Sequence, residues 1–290
     1  MNVDDVAGDP TLVVTGGYRS VGRYCVIGHP IAHSMSPTLH NAWFAKEGLG
    51  FQYVALDIPP SQLVVRAPAL PFEYSGVNVT IPHKVAILGF VDRVDADAEA
   101  AGASNLLYRA GETKEWTAGN TDGAGFVRGF EEEMGEPVTG RDVLLFGAGG
   151  AARAVAAAIM AQRPGSLTIA NRSQEPAVAL AKRVGATAAL SLSADVIHRC
   201  ERRPDLLVNT MSLDAEPFFD ALELEALDDA AVLCDLNYHH RRPRLLQRGE
   251  DAGLFGIDGR GMFLWQAALS FERWFGTLPD LDLGRRVLGM

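Results

Sequence analysis

The sequence predicts a two-domain α/β fold with largely parallel sheets. Three observations predict it. Strand-like and helix-like segments alternate along nearly the whole chain, the rhythm of βαβ units. A glycine-rich turn, GAGGAA at 147–152, joins a buried-strand pattern to a helix. A polar stretch carrying Gly and Pro, EEEMGEPVTGR at 131–141, separates two series of such units.

The elements follow in order. Tyr24–Ile27 is a short apolar strand. Pro37–Glu47 has helical spacing, with Leu39, Trp43 and Phe44 apolar, and stops at Gly48. Phe51–Asp57 is a strand, and Gly76–Ile81 is a β-branched strand bounded by Gly and Pro. Val91–Ala101 reads as a helix on an acidic surface, and Gly123–Met134 as a helix ending at Gly135. The second series has strands at Asp142–Phe146, Ser166–Ala170 and Asp205–Asn209. After the turn-rich Gly256–Gly261, a last apolar helix, Met262–Phe275, can pack back on the first domain, with a cleft between the lobes. The expected domains are 1–124 completed by 260–290, and 125–259. Thr11–Thr15 is either an added strand or part of a tail.

With 290 residues the chain can build real cores, and 48% hydrophobic and 21% charged residues are ordinary for a globular protein. A net charge of −10 argues against nucleic acid as a partner, while leaving room for a local basic site. Cys25, Cys200 and Cys234 are widely spread; buried reduced thiols are expected, without a disulfide or a metal site. The acidic N-terminus is no signal peptide and no apolar run reaches membrane-spanning length, so a cytoplasmic location is expected.

DVLLF–GAGGAA–RAVAAAIM matches a dinucleotide fingerprint in the required strand–turn–helix context of a Rossmann domain. Gly147 permits the tight turn, Gly149 lets pyrophosphate approach the backbone, and Ala152 allows close helix–strand packing. Ala148, Gly150 and Ala151 complete the turn, where helix N–H groups and the helix dipole favour anions. The next strand runs into Asn171–Arg172–Ser173, without the acid that would hold an NAD ribose. Arg172 can pair with a 2′-phosphate, which points to NADP. Gln174 and Glu175 add no second cation.

GHPIAHSMSP, residues 28–37, fits Ser36 as a helix N-cap followed by Pro37. Ser34 adds a second hydroxyl on the same approach, and the pair suits a small carboxylate. Together with NVTIPHK (78–84), GASNLLY (102–108), GNTDGAG (119–125), GMFLWQAALSFE (261–272) and GAGGAA, in this order, the chain resembles the shikimate dehydrogenase family over roughly residues 24–275. The resemblance implies reversible NADPH-dependent reduction of 3-dehydroshikimate to shikimate. By matching motif, Ser34 and Ser36 would bind the substrate carboxylate. Thr80, Asn105 and Gln266 would hydrogen-bond carboxylate or ring hydroxyls, and Lys84 with Asp122 would form the catalytic pair. Tyr238 matches a family tyrosine near the nicotinamide and is counted with the substrate residues. Asn209, Met211 and Gly259 would complete the cofactor site.

Departures qualify the resemblance. Met211 stands in NTMS where the family commonly has Asn-Ala-Thr-Ser, and HHRRPR (239–244) replaces a proline–threonine pattern and reads as a solvated loop. Asn78 is read as a strand-end residue, with orientation of the substrate loop as the alternative. His33, His40 and His83 are read as packing or loop-bonding residues. A quinate/shikimate dehydrogenase with relaxed cofactor use and a catalytically silent metabolite-sensing relative are the competing readings. A monomer or homodimer is expected.

Overall fold

A computed structural model describes residues 14–15, 18–19, 22–110, 115–238 and 242–290. It forms two compact units. The first comprises the described residues up to Ala98 with Ala103–Asn120 and Ala267–Met290; the second comprises Glu99–Gly102 and Thr121–Gln266. All of the helix beginning at Asp122 thus falls in the second unit, and the helix 260–275 divides after Gln266.

In the first unit β1 (Val14–Thr15) and β2 (Tyr18–Arg19) form a small antiparallel pair. There follow β3 (Arg23–Gly28), α1 (Ser36–Lys46), β4 (Gln52–Asp57), the short α2 (Leu63–Arg66) and α3 (Leu70–Glu73), and β5 (Gly76–Val79). Then come β6 (Arg93–Val94), α4 (Ala96–Ala101, which crosses into the second unit), β7 (Leu106–Arg109) and β8 (Trp116–Gly119). The strands β3 to β8 make one sheet in the order β4-β3-β5-β7-β8-β6, in which β7 runs antiparallel to both neighbours. One apolar core joins Cys25, Ile27, Leu70, Val77, Val79, Ile87, Leu107 and Ala118. A second, aromatic cluster packs α1 against the later part of the helix 260–275 through Trp43, Phe44, Phe271 and Phe275.

The expected helix 91–101 is shorter. Arg93–Val94 pairs with β8, and helix begins at Ala96 after Asp95 accepts the Ala98 N–H at 2.9 Å. β-branched Val94 favours strand, and the N-capping Asp95 then favours a helix start. The strand expected to reach Ile81 ends at Val79. The N-terminal region other than Val14–Thr15 and Tyr18–Arg19, up to Val21, lies outside the described residues.

The second unit contains α5 (Asp122–Met134), β9 (Asp142–Phe146), α6 (Gly150–Ala161), β10 (Ser166–Asn171), α7 (Gln174–Val184), β11 (Ala188–Ser191) and β12 (Leu206–Asn209). It continues with α8 (Glu216–Ala221), β13 (Val232–Asp235), α9 (Arg244–Asp251), β14 (Phe255–Asp258) and the start of α10 (Arg260–Phe275); α11 (Leu281–Leu288) returns to the first unit. Its six strands are all parallel in the order β11-β10-β9-β12-β13-β14. This is the doubly wound order, reversing between β9 and β12. Both sheet faces are covered: Val143, Leu145, Leu167, Ile169 and Val208 pack on one side, Leu144, Phe146 and Leu207 on the other. Such continuous apolar strands are what a parallel sheet requires.

Two basic residues of the expected solvated run 239–244 are structured. Arg244 opens α9 and pairs with Asp220, and Arg242 pairs with Glu250. Residues 239–241 lie outside the described residues. Cys25 and Cys234 are buried thiols, and burial pushes both up in pKa, against ionisation.

Candidate active site

In the first unit, topology gathers the candidate residues at one end of the sheet. Parallel β3 and β5 release their carboxyl ends there, and antiparallel β7 begins there. The loop after β3 carries Ser34 and leads to Ser36; the turn after β5 carries Thr80 and Lys84; Asn105 precedes β7. Backbone bonds fix them: Thr80 N–H to Ile27 O at 2.9 Å, Val79 N–H to Asn105 O at 2.8 Å, and Ser104 N–H to Lys84 O at 2.7 Å. The last bond sets the lysine backbone beside the Ser104–Asn105 turn.

The helix start differs from expectation. Met35 is the N-cap, its carbonyl accepting the Leu39 N–H at 3.1 Å, and Ser36 is the first helical residue. Ser34 Oγ, rather than Ser36, meets the helix end by accepting the Ser36 N–H at 3.3 Å. Pro37, lacking an N–H, makes the shift cheap, because its own amide leaves nothing to cap.

Buried polar side chains hold these turns in place. Asn78 is buried within β5, not at its end; it accepts from Tyr53 Oη at 2.8 Å and donates to Asn105 O at 3.1 Å and Ser270 Oγ at 2.9 Å. It therefore orients the Asn105 turn, the alternative its sequence position left open. His83 is buried with Nε2 2.6 Å from Ile58 O, anchoring the residue before Lys84. Ser104 Oγ donates to the Leu106 and Gly119 carbonyls at 2.9 and 2.8 Å, and Asn120 Nδ2 donates to Ala103 O at 2.8 Å. A buried polar side chain in an apolar strand was the available signal for Asn78.

In the second unit the carboxyl ends of the parallel strands converge. Gly147 is left-handed (φ 110°), and a Cβ there would strike Thr210 Oγ1. Gly149 is exposed with open space where a Cβ would stand, directly before α6. Ala152 is fully buried in the helix–sheet core. Ala148, Gly150 and Ala151 lie between, so the turn has the shape an anionic diphosphate needs over a helix N-terminus. Asn171 Nδ2 donates to Ser173 O at 2.9 Å, tightening the turn that presents Arg172. Arg172 is exposed and makes no ion pair among the described residues. No acid precedes it at the end of β10. This donor set fits a dinucleotide bearing an extra phosphate. Gly259 serves close packing: a Cβ would collide with the Leu236 carbonyl.

Asp122 is not in a free turn. It is buried as the first residue of α5, and three glycines behind it bring that helix against its neighbours. A Cβ on Gly123 would lie 2.6 Å from Ala154 O, on Gly125 2.7 Å from Gln266 N, and on Gly129 2.8 Å from Gly261 C. Thr121 Oγ1 also donates to Gln266 O at 3.0 Å, while Gln266 Nε2 donates to Phe263 O at 2.9 Å. Tyr238 packs against Phe263 with ring centroids 4.3 Å apart and tilted by 31°, and burial together with the Asp122 carboxylate pushes its hydroxyl pKa up to about 12. Asp122, Gln266 and Tyr238 are thus neighbouring elements of one unit. Among the described residues no cluster of His, Cys, Asp and Glu could hold a metal ion, and no helix is long and apolar enough to cross a membrane.

Known proteins match along the same lines. The shikimate dehydrogenase substrate binding domain matches residues 26–107, shikimate / quinate 5-dehydrogenase residues 131–236, and the shikimate 5'-dehydrogenase C-terminal domain residues 259–288. Shikimate dehydrogenase (NADP(+)) of Bacillus licheniformis is 39% identical over 273 residues, covering 91% of this chain and 95% of that protein. The chain belongs to the shikimate dehydrogenase family. The Methanopyrus kandleri shikimate dehydrogenase (NADP(+)) is 38% identical, with 91% and 93% covered. The crystal structure of the Thermus thermophilus shikimate 5-dehydrogenase in complex with NADP(H) and shikimate aligns with a TM-score of 0.79 at 32% identity, covering 92% of this chain and 98% of that one. Both α/β units of the family are therefore present here.

Proposed function

We propose that this protein is an NADP-dependent shikimate dehydrogenase that reversibly reduces 3-dehydroshikimate to shikimate. The observation that carries the reading is the gathering of Ser34, Thr80, Lys84 and Asn105 at one end of the first sheet. Two hydroxyls at a helix start suit a carboxylate. Thr80 and Asn105, with Gln266 from α10, can bond carboxylate or ring hydroxyls.

Bound NADPH supplies the hydride. As hydride reaches the ketone carbon, the carbonyl bond becomes an alkoxide, and the Lys84 ammonium stabilises that charge and donates its proton to the oxygen. In the oxidative direction the neutral amine takes the hydroxyl proton. Asp122 is the second member of the proposed catalytic pair. The 147–152 turn would hold the cofactor's diphosphate, Asn171, Arg172 and Ser173 would meet its adenosine phosphate, and Asn209, Met211 and Gly259 would complete the site. The relatives named for NADP(+) and the open Arg172 support that choice.

A steady-state absorbance assay tests the reading by crossing shikimate and quinate with NADP+ and NAD+. Turnover is expected with shikimate and NADP+, and Lys84→Ala should lower kcat by roughly 10²–10⁴. Equal rates with quinate would place the substrate elsewhere in the family, and unchanged turnover in Lys84→Ala would remove the proton donor.

A further inference from the structure

Asp235, at the end of β13, carries a carboxylate that no step above uses. It is 1% exposed, and burial raises its pKa. Three N–H groups face it: Asn209 Nδ2 at 2.8 Å, the Asn237 backbone N–H at 3.0 Å and Asn237 Nδ2 at 2.7 Å. The same two asparagines grip one residue of the loop after β12. Asn209 Oδ1 accepts the Met211 N–H at 2.9 Å, and Asn237 Nδ2 donates to Met211 O at 3.1 Å. Both backbone polar groups of Met211 are thus held by side chains that one carboxylate orients.

The carboxylate decides which way the amides point. The three N–H donors aimed at it oppose the effect of burial and favour the ionised form, which accepts and cannot donate, so each asparagine turns its NH2 toward it. That leaves the Asn209 oxygen aimed at the Met211 N–H. A neutral amide at 235 would set NH2 against NH2 and remove the bias.

Met211 stands at a sensitive place. Thr210 N–H and Oγ1 both donate to Phe146 O, at 3.0 and 2.6 Å, tying this loop to the end of β9. Thr210 Oγ1 fills the space a Cβ on Gly147 would need, and Met211 Cγ lies 3.3 Å from that position. β9 and β12 are the adjacent strands at which the order reverses, where ligands of doubly wound sheets bind. The Thr210–Met211 segment is therefore a wall beside the phosphate-binding turn.

We infer that Asp235 is a positioning residue for the cofactor, holding the Thr210–Met211 segment against the 147–152 turn through Asn209 and Asn237. The inference rests on the dinucleotide reading of that turn. With the wall held in place before binding, the dinucleotide does not have to order it, and affinity rises accordingly. A merely structural carboxylate would lower thermal stability without separating one ligand from the other.

The test measures NADP+ affinity by calorimetry, the shikimate KM, and the melting temperature for the full-length wild type, Asp235→Asn and Asn237→Ala. Hydrogen exchange over the segment 206–212 is followed as a readout independent of turnover. Expected are a tenfold or greater loss of NADP+ affinity in Asp235→Asn and a three- to tenfold loss in Asn237→Ala. The shikimate KM should stay within twofold, and exchange at Met211 should quicken in both variants. If Asp235→Asn does not fold, Asn237→Ala decides alone. A variant that binds NADP+ as tightly as wild type overturns the inference while leaving the dinucleotide site standing. A wild type that binds no NADP+ overturns the site and the inference together.

Discussion

His40 offers a prediction whose size follows from its surroundings. It lies in α1, one turn beyond Ser36, fully buried, with both ring nitrogens lacking a hydrogen-bond partner among the described residues. Its ring stacks on Tyr53 at 4.4 Å with a 4° interplanar angle, and Trp43, Phe44 and Trp274 complete the surround. Burial lowers its pKa from 6.5 to about 3. The unfolded chain therefore takes up a proton between pH 6.5 and about 3 that the folded chain refuses. Stability from this residue is complete above pH 6.5 and falls as the pH drops through that window. At pH 5 the loss is about 2 kcal/mol, from about 1.4 kcal/mol per pH unit over 1.5 units. His40→Phe removes the titration while keeping a planar ring. Urea unfolding followed by tryptophan fluorescence reports mainly the first unit, since Trp43, Trp116 and Trp274 lie there and Trp265 in the second. The stability difference between wild type and His40→Phe should shift toward the variant by about 2 kcal/mol from pH 7 to pH 5, whatever the fixed cost of repacking. A difference that stays constant to within about 0.5 kcal/mol would mean that His40 finds a partner or water when protonated, and the buried-neutral reading would fail.

Two further outcomes test the second unit. Arg172→Ala should weaken NADP+ binding roughly 10- to 100-fold, the worth of a charge-assisted phosphate contact, and leave NAD+ binding nearly unchanged; an equal loss for both cofactors would refute the 2′-phosphate assignment. Gly125→Ala decides between two opposed effects. Ala favours an exposed helix by about 1 kcal/mol over Gly, whereas the new Cβ would lie 2.7 Å from Gln266 N and 2.8 Å from Gln266 Cβ. Overpacking of roughly 1–3 kcal/mol should win, so the variant should melt lower with reduced kcat, and a higher melting temperature would show that α5 and α10 are not held in contact.

The parts legible in the sequence are those whose cause is local. GAGGAA needs a glycine at 147 because the chain turns left-handed there, and that demand is written in consecutive residues. The central strands β9, β10 and β12 are buried on both faces and read as apolar runs, whereas the edge strands β11 and β14 are only partly buried and carry no such signal. The segment 91–101 is acidic and alanine-rich, which hides the strand at Arg93–Val94, where only Val94 is β-branched and the pairing depends on β8 across the sheet. The place of Ser36 before proline suggests a cap, but the cap is settled by where the chain enters the helix from β3, and the hydroxyl that meets the helix end belongs to Ser34.

What the sequence could not carry is the scaffolding between motifs. Asn78, His83, Thr210, Asp235 and Asn237 act on residues far away in the chain or on neighbouring strands, and each looks ordinary in its own window. Their geometry follows from register. Parallel pairing of β12 with β13 sets Asn209 opposite Asp235, and antiparallel pairing of β5 with β7 brings Asn78 to the Asn105 carbonyl. A one-residue slip in either pairing would turn these side chains to the opposite face. Apolar packing fixes the registers, and buried polar groups such as Asn78 and Asp235 convert register into loop direction. Asn78 and Asp235 do the same thing in the two units: each is a buried polar group at which one strand sets the direction of a loop on the next. Loop direction in both sheets therefore depends on buried polar residues within the strands themselves.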